Sequence, residues 1–230
     1  MKTENIHIGI VGAGNIGSTI YQLLKSTGCE YKISIADQVE KHNHFINDDD
    51  YYRLTITKPT YDGHCTQFSQ FVNGKTLIIN ALPFHQNINL YTACYELGVP
   101  YFDLSEDDAL DKFIIDLNNN NIPFTMPHCG LAPGLSTVIA NELLKDIENP
   151  TSVKIRVGAL SQNASNKLRY YTSWSGEGLV NEYLGDCQVL EDGIYNTVDA
   201  LSGYEKITLN GKEYEAFNTS GGLGTFAKSL

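Results

Sequence analysis

The chain has 230 residues, 42% of them hydrophobic and 19% charged, with a formal net charge of -11. That length holds one large domain, or one domain and part of another. The negative charge argues against nucleic acid, whose phosphates require a basic footprint, and against anionic membrane surfaces. No apolar run approaches the roughly 20 residues of a bilayer crossing. Met1 to Asn5 leads into a strand and not into an apolar signal segment, so none is expected. Cys29, Cys65, Cys94, Cys129 and Cys187 are widely spaced and form no C-x-x-C pair. They read as free thiols of a reducing compartment, and a cytoplasmic location is expected. His42 and His44 stand in a polar stretch, and no metal site is expected there.

In chain order, Ile6, Ile8, Ile10 and Val11 mark a first strand, and Ile16, Ile20, Leu23 and Leu24 recur at helical spacing. Gly28 closes that helix, and Tyr31 to Asp37 is a second strand, which completes a βαβ unit. Residues 38–50 read as a loop or a frayed helix, and Leu54 to Thr57 as a third strand. Thr76 to Leu82 is a continuous apolar run, as a strand buried on both faces should be. A helix follows over Asn87 to Leu97, then a strand over Pro100 to Leu104. Ser105, with Asp108 three residues on, predicts the start of another helix in a capping box. Pro123 to Met126 is the next strand, and a helix begins near Gly134. This alternation predicts an α/β domain with a doubly wound parallel sheet over residues 1–150. After Pro150, Val153, Ile155, Val157 and Ala159 alternate with polar residues, which predicts a half-solvated strand. Further strands are expected near 168–174, 186–190, 194–198, 206–209 and 213–217, with a helix from Glu177 to Tyr183. Residues 151–230 therefore read as part of an α+β domain with a mainly antiparallel sheet.

Between the first strand and helix lies Gly12-Ala13-Gly14-Asn15-Ile16-Gly17, a G-x-G-x-x-G turn. The first glycine permits the tight bend, the second admits a pyrophosphate against the backbone, and the third lets helix and strand pack closely. The diphosphate then meets the N–H groups and positive end of the helix. Asp37, 20 positions after Gly17, ends the second strand, where a carboxylate accepts the ribose hydroxyls and repels a 2′-phosphate. No arginine follows Asp37 within fifteen residues, so the cofactor expected is NAD in preference to NADP. Ligands of such sheets lie outside the carboxyl ends of the strands. Asn80, Ala81, Leu82 and Pro83, and Asp103-Leu104-Ser105, are therefore further candidates along the cofactor crevice, and Tyr61 with Asp62 could flank the adenine.

Several segments resemble the saccharopine dehydrogenase family, particularly its lysine 6-dehydrogenase-like branch. They are Ile10–Gly17 (IVGAGNIG), Asn80–Pro83, Gly98–Asp103 (GVPYFD), Gly130–Ser136 (GLAPGLS), Trp174–Tyr183 (WSGEGLVNEY) and Ala216–Thr225 (AFNTSGGLGT), in that order along nearly the whole chain. The resemblance implies a Rossmann domain, an α+β substrate domain, and hydride transfer between a nicotinamide and a carbon–nitrogen bond of an amino acid of the lysine or saccharopine type. Family members are longer, which implies that the second domain here is partial. A homodimer is expected at family level.

Such chemistry needs the nicotinamide held at about 3–3.5 Å from the substrate carbon. It also needs a group for the nitrogen's proton and a cation for the amino acid's carboxylate. Asp103, His128 and Glu182 are the candidates for the proton. Arg169 is the candidate carboxylate clamp, with Ser173 and Trp174 beside it for the substrate. His128-Cys129 is not expected to act as a nucleophilic pair. Two other readings share the glycine turn: a nucleotide-sensing regulatory domain, and a fragment that binds NAD without turnover.

Overall fold

A computed structural model describes residues 6–41, 44–55, 66–117, 122–158, 160–163, 176–221, 223 and 226. The chain divides into two compact units, Met1–Cys129 and Gly130–Leu230, against domains expected over 1–150 and 151–230.

The first unit runs β1 (His7–Val11), α1 (Asn15–Ser26), β2 (Lys32–Asp37), β3 (Tyr51–Arg53), α2 (Thr66–Val72), β4 (Leu77–Asn80), α3 (Asn87–Leu97), β5 (Tyr101–Asp103), α4 (Asp108–Asp116) and β6 (Thr125–Met126). All six strands are parallel, in the order β3-β2-β1-β4-β5-β6. Strand side chains alternate between faces, and both faces carry apolar residues. On one face Ile8, Ile10, Ile33 and Ile35 bury Tyr21 of α1 and Ile46. On the other, Val11, Ala36, Ile78 and Tyr101 pack on Phe68 and Val72 of α2, Leu90, Tyr91 and Cys94 of α3, and Leu110 of α4. The strand order reverses between β1 and β4, so a crevice opens at their carboxyl ends.

Three local expectations are corrected. The third strand is Tyr51–Arg53; of the expected Leu54 to Thr57, Leu54 and Thr55 follow its end, and residues 56 and 57 lie outside the described residues. Tyr51 lies against the α1 cluster, and Leu54 is buried just past the strand's end. The N-cap of α4 is Asp107, whose carboxylate accepts from Ala109 N at 3.0 Å, and not Ser105. The Ser105 hydroxyl is instead bound to Asp103. Residues 151–158 form no strand. Lys154 and Arg156 there pair with Glu205, so the alternation serves ion pairs and not a ladder. Helix α2 had no counterpart in the sequence reading.

The connection between β2 and β3 is fastened beneath α1. The Tyr21 hydroxyl donates to Asp50 Oδ2 (2.7 Å) and accepts from Asn47 N (3.3 Å), and Lys25 Nζ reaches the same Asp50 oxygen at 2.9 Å. Tyr21→Phe keeps the buried ring and leaves Asn47 N–H without that acceptor. The expected loss is about 1–2 kcal/mol of unfolding free energy, read from urea titration of both proteins.

The second unit contains α5 (Leu135–Leu144), α6 (Gly176–Glu182), β7 (Asp186–Glu191), β8 (Ile194–Asp199), β9 (Glu205–Leu209) and β10 (Lys212–Ala216). The strands form two antiparallel pairs, β7 with β8 and β9 with β10. They turn over Asp192-Gly193 and Asn210-Gly211, all with positive φ, as two-residue hairpin loops demand. The Tyr183 and Phe217 rings lie 5.9 Å apart, and Ser220 N donates to Glu182 O. Among the described residues no helix is long and apolar enough to cross a membrane. Cys29, Cys94 and Cys129 are free thiols, and Cys65 lies outside the described residues.

Candidate functional site: a dinucleotide crevice

The glycine turn leaves β1 and enters α1 within four residues. Gly12 N bonds Ala36 O at 2.8 Å, and Gly12 takes φ +104°, which L side chains rarely adopt. A Cβ on Gly12 would stand 2.5 Å from Ala81 O, and one on Gly17 would stand 1.8 Å from Gly12 O. Both positions are therefore glycine because backbone passes directly beside them. Gly14 differs: a Cβ there would meet nothing within 4 Å, and its φ of -68° suits any residue. Packing does not require a glycine at Gly14, and the space beside it is open. Gly14 is also the N-cap of α1, so the cap brings no side-chain acceptor, and the first turn holds no acidic residue. The Ser18 hydroxyl turns back to Ala13 O (2.9 Å) and fixes the bend. Asn15 and Ile16 are exposed on the mouth of the turn. This arrangement suits a diphosphate, which would meet backbone N–H groups and a helix N-terminus.

Asp37 closes β2 beside this turn. Its Oδ2 accepts from Ala13 N at 2.6 Å and its Oδ1 from Val39 N at 3.2 Å. A carboxylate has about four lone-pair directions, so acceptor capacity remains for ribose hydroxyls. The opposite wall is the loop after β4. Ala81 N bonds Val11 O (2.7 Å), and Leu82 N donates to Asn80 Oδ1 (3.0 Å). Pro83 then opens a single 3-10 turn at Phe84–Gln86. Leu104, half-buried, follows β5. Gly12 to Gly17, Asp37, Ala81, Leu82, Pro83 and Leu104 thus all lie at the carboxyl edge of one sheet. Asp62 lies outside the described residues, as do Arg169, Ser173 and Trp174.

Asp103 is 1% exposed. Its Oδ1 accepts from Ser105 N and Ser105 Oγ, both at 2.6 Å. Its Oδ2 accepts from Tyr101 OH (2.5 Å) and Asn80 Nδ2 (2.7 Å). Asn80 Nδ2 also reaches Asn87 Oδ1 and Tyr101 OH, and Asn87 Nδ2 donates to Ser105 Oγ and Asp107 Oδ2. Burial and the adjacent Asp103 carboxylate push the Tyr101 hydroxyl well above its ordinary pKa, so it stays a donor. The carboxylate is thus walled in by four donors, an arrangement suited to holding the crevice wall. Asn80 was expected along the crevice, whereas Asn87 and Tyr101 were not among the sequence candidates; only their side-chain convergence reveals them.

His128 follows β6 and carries φ +63°. Its Nε2 lies 3.1 Å from Asp111 Oδ2 and 3.2 Å from Oδ1, and its Nδ1 is buried without a hydrogen-bond partner among the described residues. The Asp111 hydrogen bond raises the His128 pKa. Burial works against it, while the charges of Asp111, Glu106 and Asp103 add to it. The pair contributes stability that is fully present below the ordinary histidine pKa near 6.5 and is lost as pH rises through the higher folded value. Asp111→Asn is expected to lower the His128 pKa, measured by NMR titration of its ring protons. An unchanged titration would separate the two side chains. Asp111 was not foreseen, because it sits 17 residues away on α4. Burial raises the Cys129 pKa, with the Asp103 charge adding to it, which keeps the thiol protonated and poorly nucleophilic. Glu182 ends α6 in the second unit. Among the described residues no group of three or more His, Cys, Asp or Glu side chains is placed to hold a metal.

Comparison with known proteins agrees with the crevice. Residues 8–124 match the family model of the saccharopine dehydrogenase NADP binding domain, and residues 130–228 that of the saccharopine dehydrogenase C-terminal domain. Among solved structures, apo histidine-tagged saccharopine dehydrogenase (L-Glu forming) from Saccharomyces cerevisiae matches with a TM-score of 0.63 at 14% identity, over 94% of this chain and 50% of that one. The chain thus spans half the length of that relative, and the likeness shows a shared fold. A D-isomer specific 2-hydroxyacid dehydrogenase family protein from Klebsiella pneumoniae 342 matches at 18% identity over 61% of this chain and 51% of that one, but its TM-score of 0.30 supports no inference. With one or the other model covering both units almost end to end, the chain belongs to the saccharopine dehydrogenase family.

Proposed function

We propose that the chain serves an NAD-dependent oxidoreductase acting on the carbon–nitrogen bond of an amino acid of the lysine or saccharopine type. The carrying observation is the 2.6 Å bond from Ala13 N to Asp37 Oδ2, which joins the glycine turn to an acid at the ribose position. The nicotinamide, when bound, supplies the hydride acceptor or donor. The chain's own residues bind, orient and move protons. Gly12 to Gly17 hold the diphosphate, Asp37 takes the ribose hydroxyls and disfavours a 2′-phosphate, and Ala81, Leu82, Pro83 and Leu104 line the far wall. His128, oriented by Asp111, handles the proton of the substrate nitrogen, with Glu182 the alternative. Asp103 acts as a positioning residue. Arg169 clamps the substrate carboxylate, and Ser173 and Trp174 flank it; Asp62 borders the adenine.

The family membership supports the amino-acid substrate, and Asp37 supports NAD. Calorimetry with NAD+ and NADP+, alongside NADH absorbance with lysine, saccharopine and related diamines, tests both. Turnover with one of these substrates is the expected result. Binding without turnover across the panel would favour a sensing or inactive NAD-binding role, and absence of binding would end the reading. The working form proposed is a cytoplasmic homodimer, which sedimentation and cell fractionation test.

A further inference from the structure

Asp37 and Arg53 are register partners on adjacent parallel strands, so their side chains rise from the same face of the sheet. That face is the one under α1, because Ile33 and Ile35 of β2 and Tyr51 of β3 belong to it. Arg53 is therefore far from Asp37 in sequence and next to it in space. Its Nη1 donates to Glu40 Oε1 at 3.2 Å, with both side chains well exposed. The segment carrying Glu40 is fastened at two points: Val39 N donates to Asp37 Oδ1, and the Tyr51 hydroxyl donates to Val39 O at 2.5 Å. The guanidinium of Arg53, from the strand position next to Asp37 at the ends of β2 and β3, is thus paired with Glu40.

A phosphate on the ribose 2′ oxygen would extend along this edge, away from β1 and toward β3. A guanidinium is the side chain best shaped to grip it, through paired N–H bonds. Here that fork is already engaged by Glu40. We infer that the Glu40–Arg53 pair is a specificity latch: Glu40 occupies and neutralises a guanidinium placed to accept a 2′-phosphate beside Asp37. Asp37 alone does not then set the choice between NAD and NADP; Glu40 enforces it, and Arg53 is a phosphate site held shut.

This inference rests on the dinucleotide reading, and the test keeps the two apart. Binding of NAD+ and NADP+ is measured by calorimetry on the full chain for the parent, E40Q, R53Q and E40Q/R53Q, with thermal melting as a folding control. The NADP+ to NAD+ affinity ratio is expected to rise about tenfold in E40Q and to return to the parent value in E40Q/R53Q. The gain should shrink as salt rises, because the groups are exposed. An unchanged ratio in E40Q overturns the latch while leaving NAD+ binding intact. So does a gain that persists in E40Q/R53Q, since Glu40 would then act by its own charge. Failure of the folded parent to bind either dinucleotide overturns the latch together with the reading beneath it.

Discussion

Gly14→Ser is expected to weaken dinucleotide binding about 100-fold without lowering the melting temperature, whereas Gly17→Ala should lower both. The two glycines stand three residues apart in one turn, but the structure gives them different reasons to be glycine. A Cβ on Gly17 would lie 1.8 Å from Gly12 O, which is backbone and has no rotamer to yield. The turn must shift to accept even a methyl group, at an overpacking cost of about 3 kcal/mol. A Cβ on Gly14 meets nothing within 4 Å, and φ -68°, ψ -166° is comfortable for serine. Serine is also a good N-cap, so α1 should hold its stability or gain slightly. Its hydroxyl would take up the very N–H groups that a diphosphate needs, and its Cβ would fill the cradle. Calorimetry with NAD+ and a thermal melt on each variant check both halves. Retained affinity in a folded Gly14→Ser protein would mean that the diphosphate lies elsewhere.

The glycine turn was legible in the sequence because its motif is contiguous and sits within one βαβ unit, although Gly12 is also crowded by Ala81 after β4. Asp37 was legible for the same reason: strand length and the glycine spacing fix where β2 ends. The four strands of the second unit were legible as short runs, whereas the Asp192-Gly193 and Asn210-Gly211 turns that pair them into hairpins were not among the expectations. What stayed hidden depends on register and on side chains that meet across many residues. Arg53 looked irrelevant to cofactor choice at sixteen positions from Asp37, but pairing of β2 with β3 sets the two side by side. The misplaced third strand had the same root, since Tyr51–Arg53 pair with β2 while the buried Leu54 follows the strand's end, its N–H making a last bond to Asp37 O. Ser105 passed for a helix cap because sequence spacing cannot reveal a competing partner, here the Asp103 carboxylate. The expected strand at 153–159 failed through a general weakness of period-two patterns: alternation records which side chains are wet, and a ladder partner must still exist.

Asp103→Ala should cost about 3–4 kcal/mol of stability, among the largest effects of any single polar substitution in the first unit. The substitution strands Tyr101 OH and the Ser105 donors around a buried cavity, while Asn80 Nδ2 keeps Asn87 Oδ1 and Tyr101 OH, and each unpaired buried group costs about 1–3 kcal/mol, partly relieved by relaxation. Tyr101→Phe removes one donor and leaves the carboxylate three others, so about 1 kcal/mol is expected. Asp103→Asn is the decisive variant. It preserves shape but points an amide N–H at one pair of donors, Tyr101 OH with Asn80 Nδ2 or Ser105 N with its hydroxyl, so stability should fall by about 2–3 kcal/mol. Because Asn80 Oδ1 holds Leu82 N, the disturbance should reach the crevice wall and weaken NAD+ binding as well. A residue that exchanges protons with substrate would behave otherwise: Asp103→Asn would melt like the parent, bind NAD+ normally, and lose turnover together with one limb of its pH profile. Thermal melting, calorimetry and a pH–rate profile on Asp103→Asn therefore separate an acid–base group from a strut. The four donors on a carboxylate 1% exposed predict the strut.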